Sequence, residues 1–120
     1  MTKQQQRGQA AEQLAAEHLQ QSGYTILDRN WHCPYGELDI IAKQDDTIVI
    51  VEVRARTARS SEAAFESIGP RKRERLATAA LVYLSEQGLD DAPWRLDAVA
   101  VVLRGTAPPH IEHVENALDW

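Results

Sequence analysis

A chain of 120 residues has room for one domain around one core and none for a second. With 43% hydrophobic and 26% charged residues it is neither a disordered segment nor a disulfide scaffold, and its apolar runs are too short for a membrane helix. A net charge of -5 argues against a general nucleic-acid coat, because such affinity comes from neutralising phosphates.

The N-terminal segment MTKQQQRGQAAEQ lacks the apolar stretch of a signal peptide, so a cytoplasmic location is expected, with residues 1–6 disordered. Residues 7–22 predict a helix, with Ala11, Leu14, Ala15 and Leu19 at helical spacing and Gly23 as its stop. Three strands are expected next, at 24–32, 36–42 and 47–56, each short, rich in β-branched or aromatic residues and bounded by turn residues. Cys33, the single cysteine, reads as a small buried filler. Pro70 suits the first position of a second helix, whose stripe is Leu76, Ala79, Ala80, Tyr83 and Leu84 and whose stop is Gly88. The segment 94–103 is apolar on both sides, as a central strand is, and 110–116 reads as an edge strand. This order, αβββαββ, predicts an α/β fold with a mixed β-sheet flanked by helices and a helical crossover between strands three and four.

One stretch departs from the average charge. Residues 54 to 75 carry seven basic side chains, Arg54, Arg56, Arg59, Arg71, Lys72, Arg73 and Arg75, against three acidic ones. A basic segment on an acidic body points to a defined anion-binding surface; a solvated arginine-rich face is the alternative.

Carboxylates also interrupt the second and third strands. Alternation puts Glu37, Asp39 and Ile41 on one face of strand two, and Ile48, Ile50, Glu52, Arg54 and Arg56 on one face of strand three. A two-residue loop at Asp45-Asp46 sets Asp39 opposite Glu52, Ile41 opposite Ile50 and Glu37 opposite Arg54. Directly opposed side chains have Cβ atoms roughly 4.5 to 5.5 Å apart, so two carboxylates there repel and need a positive partner. A divalent metal such as Mg²⁺ meets that need with hard oxygen ligands; an ion-pair ladder of Glu37 with Arg54, and of Glu52 with Arg54 or Arg56, is the alternative.

The segments GQAAEQLAAEHLQQSGYTILDRNW, GELDIIA, VEVRAR, PRKRERL and WRLDAV together resemble the YraN family of small bacterial proteins, within the restriction-endonuclease-like PD-(D/E)XK nuclease superfamily. The resemblance spans about residues 8 to 103. It implies a restriction-endonuclease-like sheet flanked by helices, with Asp39 and Glu52 as metal ligands and Glu12, on the first helix, as a third acidic member. Where the superfamily motif has lysine this chain has Arg54, which stabilises phosphate charge but does not give up its proton and cannot be a general base. Lys72, on the sheet-facing stripe at the start of the second helix, is the candidate to take that place. Arg71, Lys72 and Arg73 crowd a helix N-terminus whose dipole opposes cations, and a bound phosphate would offset that cost; a solvated basic turn salt-bridged to Glu74 or Glu66 is the alternative.

Asp97, in a mostly apolar strand, reads as a structural partner for an arginine on a neighbouring element. His110 and His113 fall on opposite faces of a strand and do not suggest zinc. The expected function is therefore a metal-dependent nuclease-like protein, using Mg or Mn to hydrolyse phosphodiester bonds in DNA, branched or structured DNA included. Asp39, Glu52, Arg54 and Lys72 form its site, and Arg56, Arg71, Lys72 and Arg73 its nucleic-acid contacts. A non-catalytic nucleic-acid-binding module on the same fold is the second reading and a protein-interaction domain the third. Analogy with nucleases that cut two strands in pairs suggests a homodimer.

Overall fold

The structure is a computed structural model that describes residues 2–57 and 62–117. Its elements are α1 (Lys3–Gln21), β1 (Thr25–Cys33), β2 (Gly36–Gln44), β3 (Thr47–Arg56), α2 (Glu62–Glu66), α3 (Pro70–Glu86), β4 (Trp94–Arg104) and β5 (Ala107–Val114). The strands lie in chain order in one sheet, antiparallel except for the parallel β3–β4 pair, which α2 and α3 connect. The mixed sheet flanked by helices agrees with the sequence reading. The short helix α2 is an addition to it.

α1 starts four residues earlier than the sequence suggests and runs into the segment expected to be disordered. Thr2 caps it, its hydroxyl accepting from the Gln5 N–H (3.1 Å) while the Gln5 side chain accepts from the Thr2 N–H (2.9 Å). Ala11, Ala15, Ala16 and Leu19 pack on one side of the sheet against Ile40, Ala42, Val49, Val51, Val99 and Val101. The alanines bring the helix backbone close to the strands. On the other side all five residues of the predicted α3 stripe are buried, against Ile41, Ile48, Ile50, Leu96 and Ala98. Burying Leu76 and Leu84 contributes roughly 1.5 to 3 kcal/mol each. Among the described residues no helix is long and apolar enough to cross a membrane.

The β2–β3 turn is the expected two-residue loop: Gln44 pairs with Thr47, Lys43 with Ile48 and Ile41 with Ile50. Asp45 takes φ 53°, the left-handed conformation that tight hairpin turns use. Asn30 also has φ 53°, inside β1, and the β1–β2 register shifts between Ile26 and Asp28. As the sequence suggests, β4 is central and β5 lies at an edge.

Candidate functional site

The antiparallel ladder between β2 and β3 ends at Ile40 and Val51. In place of the next rung, Asp39 turns its carboxylate across the gap and accepts the Val53 N–H at 2.9 Å. Regular alternation also breaks here, since Leu38 packs on the α3 side of the sheet and Ile40 on the α1 side, although two residues apart. The two strands therefore part at Asp39, which sits in the fork.

Glu52, 5% exposed, belongs to the face carrying Ile50 and α3. Its Oε1 lies 3.8 Å from Arg54 Nε and its Oε2 4.0 Å from Lys72 Nζ. Neither Oε2 nor Arg54 Nε has a hydrogen-bond partner among the described residues, although both are buried. Burial first, and then the adjacent Asp39 carboxyl, push the Glu52 carboxyl up to about 8, while Lys72 and Arg54 pull it down.

Glu12 reaches the fork from α1, within range of Asp39, Glu37 and Asn30. Burial pushes its carboxyl up to about 7, helped by the charges of Asp39 and Glu37 and opposed by Arg29 and Asn30. With its amide turned to suit its neighbours, Asn30 donates to Glu12 Oε2 (3.1 Å) and Glu37 Oε1 (3.2 Å). Arg29 is steadied on α1 by Gln13, at 2.9 Å. Asn30 is absent from the sequence reading. Its signal is weak: Asn is one of the few residues that tolerate positive φ, but nothing local shows that this one does.

The fork corrects the sequence reading at Glu37. That residue does not pair with Arg54: it is registered with His32, whose Nε2 lies 3.8 Å from its carboxylate. Straight extension of the ladder predicted the Arg54 pairing, and the parting of the strands removes it.

The basic residues divide. Lys72 turns inward to Glu52, and Arg71 turns outward to a groove against the β1–β2 turn. Arg73 is half-buried in the same turn of α3. Arg56, held by a bond to the Ala55 carbonyl (2.8 Å), joins Arg7 and Arg54 in a second groove between β3 and α1. Arg59 lies outside the described residues.

Glu12, Asp39 and Glu52 offer hard oxygen donors, and the orphaned Glu52 oxygen between Asp39 and Lys72 marks a position that a cation would satisfy. The donor set suits Mg²⁺ or Mn²⁺ and lacks the sulfur or imidazole ligands typical of zinc. Among the described residues no group of three or more Asp, Glu, His or Cys side chains is placed to hold a metal ion by itself.

Asp97 belongs to another constellation. Fully buried, it faces the α1 side with Arg95 of its own strand at 3.0 Å, rather than an arginine from a neighbouring element. His113 Nε2 lies 2.8 Å away, and the Asn116 N–H donates at 3.1 Å. Arg95 also donates to the Tyr24 hydroxyl and to Gln44. Burial pushes the Asp97 carboxyl up, but His113, Arg95 and the Asn116 N–H outweigh it and hold the carboxyl below its usual value. The cluster ties β4 to β5 and to the start of β1. His110 lies 3.8 Å from Glu112.

The family described as "Uncharacterised protein family UPF0102" matches residues 11–101. A "UPF0102 protein" of Herpetosiphon aurantiacus is 41% identical over 112 residues, 90% of each chain. One from Pseudomonas aeruginosa is 41% identical over 115 residues, 94% of this chain and 92% of its own. One from Moorella thermoacetica is 47% identical over 97 residues, 81% of each.

Proposed function

The chain belongs to family UPF0102, and from the site it carries we propose that it is a metal-dependent nuclease-like protein hydrolysing phosphodiester bonds in DNA. The reading rests on one observation: Glu52, almost fully buried, stands beside Asp39 with one carboxylate oxygen unpartnered and Lys72 and Arg54 flanking it. A nearly buried carboxyl set beside a second, half-buried acid is costly to the fold unless a cation offsets it.

Asp39 and Glu52, with Glu12 beside them, are the residues that would hold Mg²⁺ or Mn²⁺. Such an ion, when bound, supplies Lewis-acid stabilisation at the phosphoryl oxygens and a more acidic water. The chain's own groups do the rest. The Val53 N–H fixes the Asp39 carboxylate, so the acid is aimed before substrate arrives. Lys72 and Arg54 neutralise the phosphate and orient it toward the carboxylates, and Arg56 of β3 and Arg7 of α1 add positive charge in the groove between those elements. Arg54 does not act as a base, whereas the Lys72 amine is able to release a proton. The same reading puts the protein in the cytoplasm with DNA as its partner.

The test is cleavage of linear, nicked and branched DNA with Mg²⁺ or Mn²⁺. Product formation lost in both Asp39→Ala and Glu52→Ala supports the assignment, and activity unchanged in those variants ends it. A non-catalytic DNA-binding module is the second reading, favoured by Arg54 at the motif's lysine position. It predicts salt-sensitive binding without metal-dependent products.

A further inference from the structure

The groove between the β1–β2 turn and the first turns of α3 takes no part in the chemistry above. It is an open, shallow groove of about 980 Å³. His32, Tyr35, Glu37, Arg71, Glu74 and Arg75 line it. Tyr35 stands at the hairpin tip, 56% exposed, between the paired residues Cys33 and Gly36. Gly36, at φ 151°, turns the chain in a conformation that residues with side chains rarely adopt, which fixes the tip. Trp31 on β1 meets the Tyr83 ring at 5.3 Å. The Tyr35 ring, by contrast, is left with a face open to water.

The chemistry of the lining selects among ligands. A run of phosphates calls for a track of cations, but this groove sets two guanidinium groups against two carboxylates and an imidazole. A nucleobase fits that balance: its flat face stacks on Tyr35, its exocyclic N–H groups meet Glu37 or Glu74, and its ring acceptors meet Arg71 or Arg75. The groove on the other flank of the fork, about 480 Å³ with Arg7, Arg54 and Arg56, has no aromatic or acidic lining residue among the described residues and suits phosphates instead. The two flanks are thus built for different parts of one nucleotide chain.

Position ties the groove to the fork. Arg71 directly precedes Lys72, whose Nζ lies 4.0 Å from Glu52, and Glu37 shares Asn30 with Glu12. We propose that the groove at Tyr35 receives an unpaired nucleobase, so that the substrate carries a single-stranded or extruded nucleotide next to the phosphate held at Asp39 and Glu52. This rests on the nuclease-like reading of the carboxylate fork. A base inside a duplex is excluded, because its faces are already stacked and its edge already paired.

The experiment is fluorescence anisotropy in chelator with the full chain and three labelled probes: a single strand, a fully paired duplex, and that duplex with a single-stranded flap. Wild-type protein should prefer the single strand and the flap. Tyr35→Ala should weaken both by roughly 5- to 150-fold while leaving the paired duplex nearly unchanged, and Tyr35→Phe should retain the preference. A thermal melt checks that the variants stay folded. Equal affinity of wild type for all three probes, or an equal loss on the duplex, overturns the base-binding groove. If cleavage still depends on Asp39 and Glu52 in that case, the carboxylate reading survives alone. Tyr35-dependent flap binding without metal-dependent cleavage leaves the groove standing and removes catalysis. No binding to any probe overturns the base-binding groove and leaves the carboxylate reading to stand or fall on metal-dependent cleavage.

Discussion

Replacing Glu52 with glutamine should make the metal-free protein more stable above neutral pH. The carboxyl is 5% exposed and pushed from 4.5 to about 8, first by burial and then by Asp39. A carboxyl raised in this way binds its proton more tightly in the folded state than in the unfolded one. Stability is therefore fully present below about 4.5 and is lost as pH rises through about 8. At about 1.4 kcal/mol per pH unit, the interval from 4.5 to about 8 sets a ceiling of about 5 kcal/mol. Side-chain relaxation and water entry reduce this to about 2 to 4 kcal/mol. Urea unfolding in chelator at about pH 5 and about pH 9 measures it, the midpoints being comparable while the slope is unchanged. The advantage of Glu52→Gln should be small at the lower pH and large at the higher. A variant less stable than wild type at about pH 9, or a difference independent of pH, refutes the argument. Saturating Mg²⁺ should narrow the gap, because a ligand at 100 times its Kd stabilises its holder by about 2.7 kcal/mol and the variant holds it less well.

Asp39→Asn should lower the Glu52 and Glu12 carboxyls toward the ordinary range, since the Asp39 charge raises both, and NMR titration of the side-chain carboxyls reads this directly. The same variant should lose DNA cleavage by at least about 100-fold in a gel assay with Mn²⁺. Arg54→Lys should raise the cleavage rate by about 10-fold at alkaline pH, because an amine releases a proton and a guanidinium does not; equal rates at every pH would leave Lys72 as the base. Arg95→Ala strands the buried Asp97 and should cost about 3 to 5 kcal/mol in urea unfolding at neutral pH. Asp97 has a lowered carboxyl, so its contribution is present above 3.8 and lost as pH falls through its folded-state value. The Arg95→Ala deficit should accordingly shrink in acid.

Periodicity carried the elements well because it reports local backbone geometry and one buried face. β3 runs over Thr47–Arg56 as read, and α3 starts at Pro70, whose missing N–H suits the first helical turn. The two-residue turn set the register from Gln44–Thr47 as far as Ile40–Val51, but the ladder stops there, so Asp39 neighbours Glu52 across the fork and not as the rung that straight extension predicts. The capping box that carries α1 back to Lys3 is written in Thr2 and Gln5, but with Gln in place of the commoner Glu it is easily passed over.

What the sequence determined by itself was the order of elements apart from α2, the buried stripe of α3 and most of that of α1, and the identity of the acidic and basic residues that converge. The tertiary structure alone decided where β2 leaves β3. A ladder extrapolated in sequence stays regular, whereas real strands part when a side chain such as Asp39 takes a backbone N–H that the next rung would have used. That single exchange moved Glu37 away from Arg54 and toward Asn30 and His32, and opened the fork to Glu12 from one face and Lys72 from the other. The Asp97 cluster has the same character. Its partners are 2, 16 and 19 residues away in sequence, and only the pairing of β4 with β5 and the turn that follows brings the last two to one buried carboxylate.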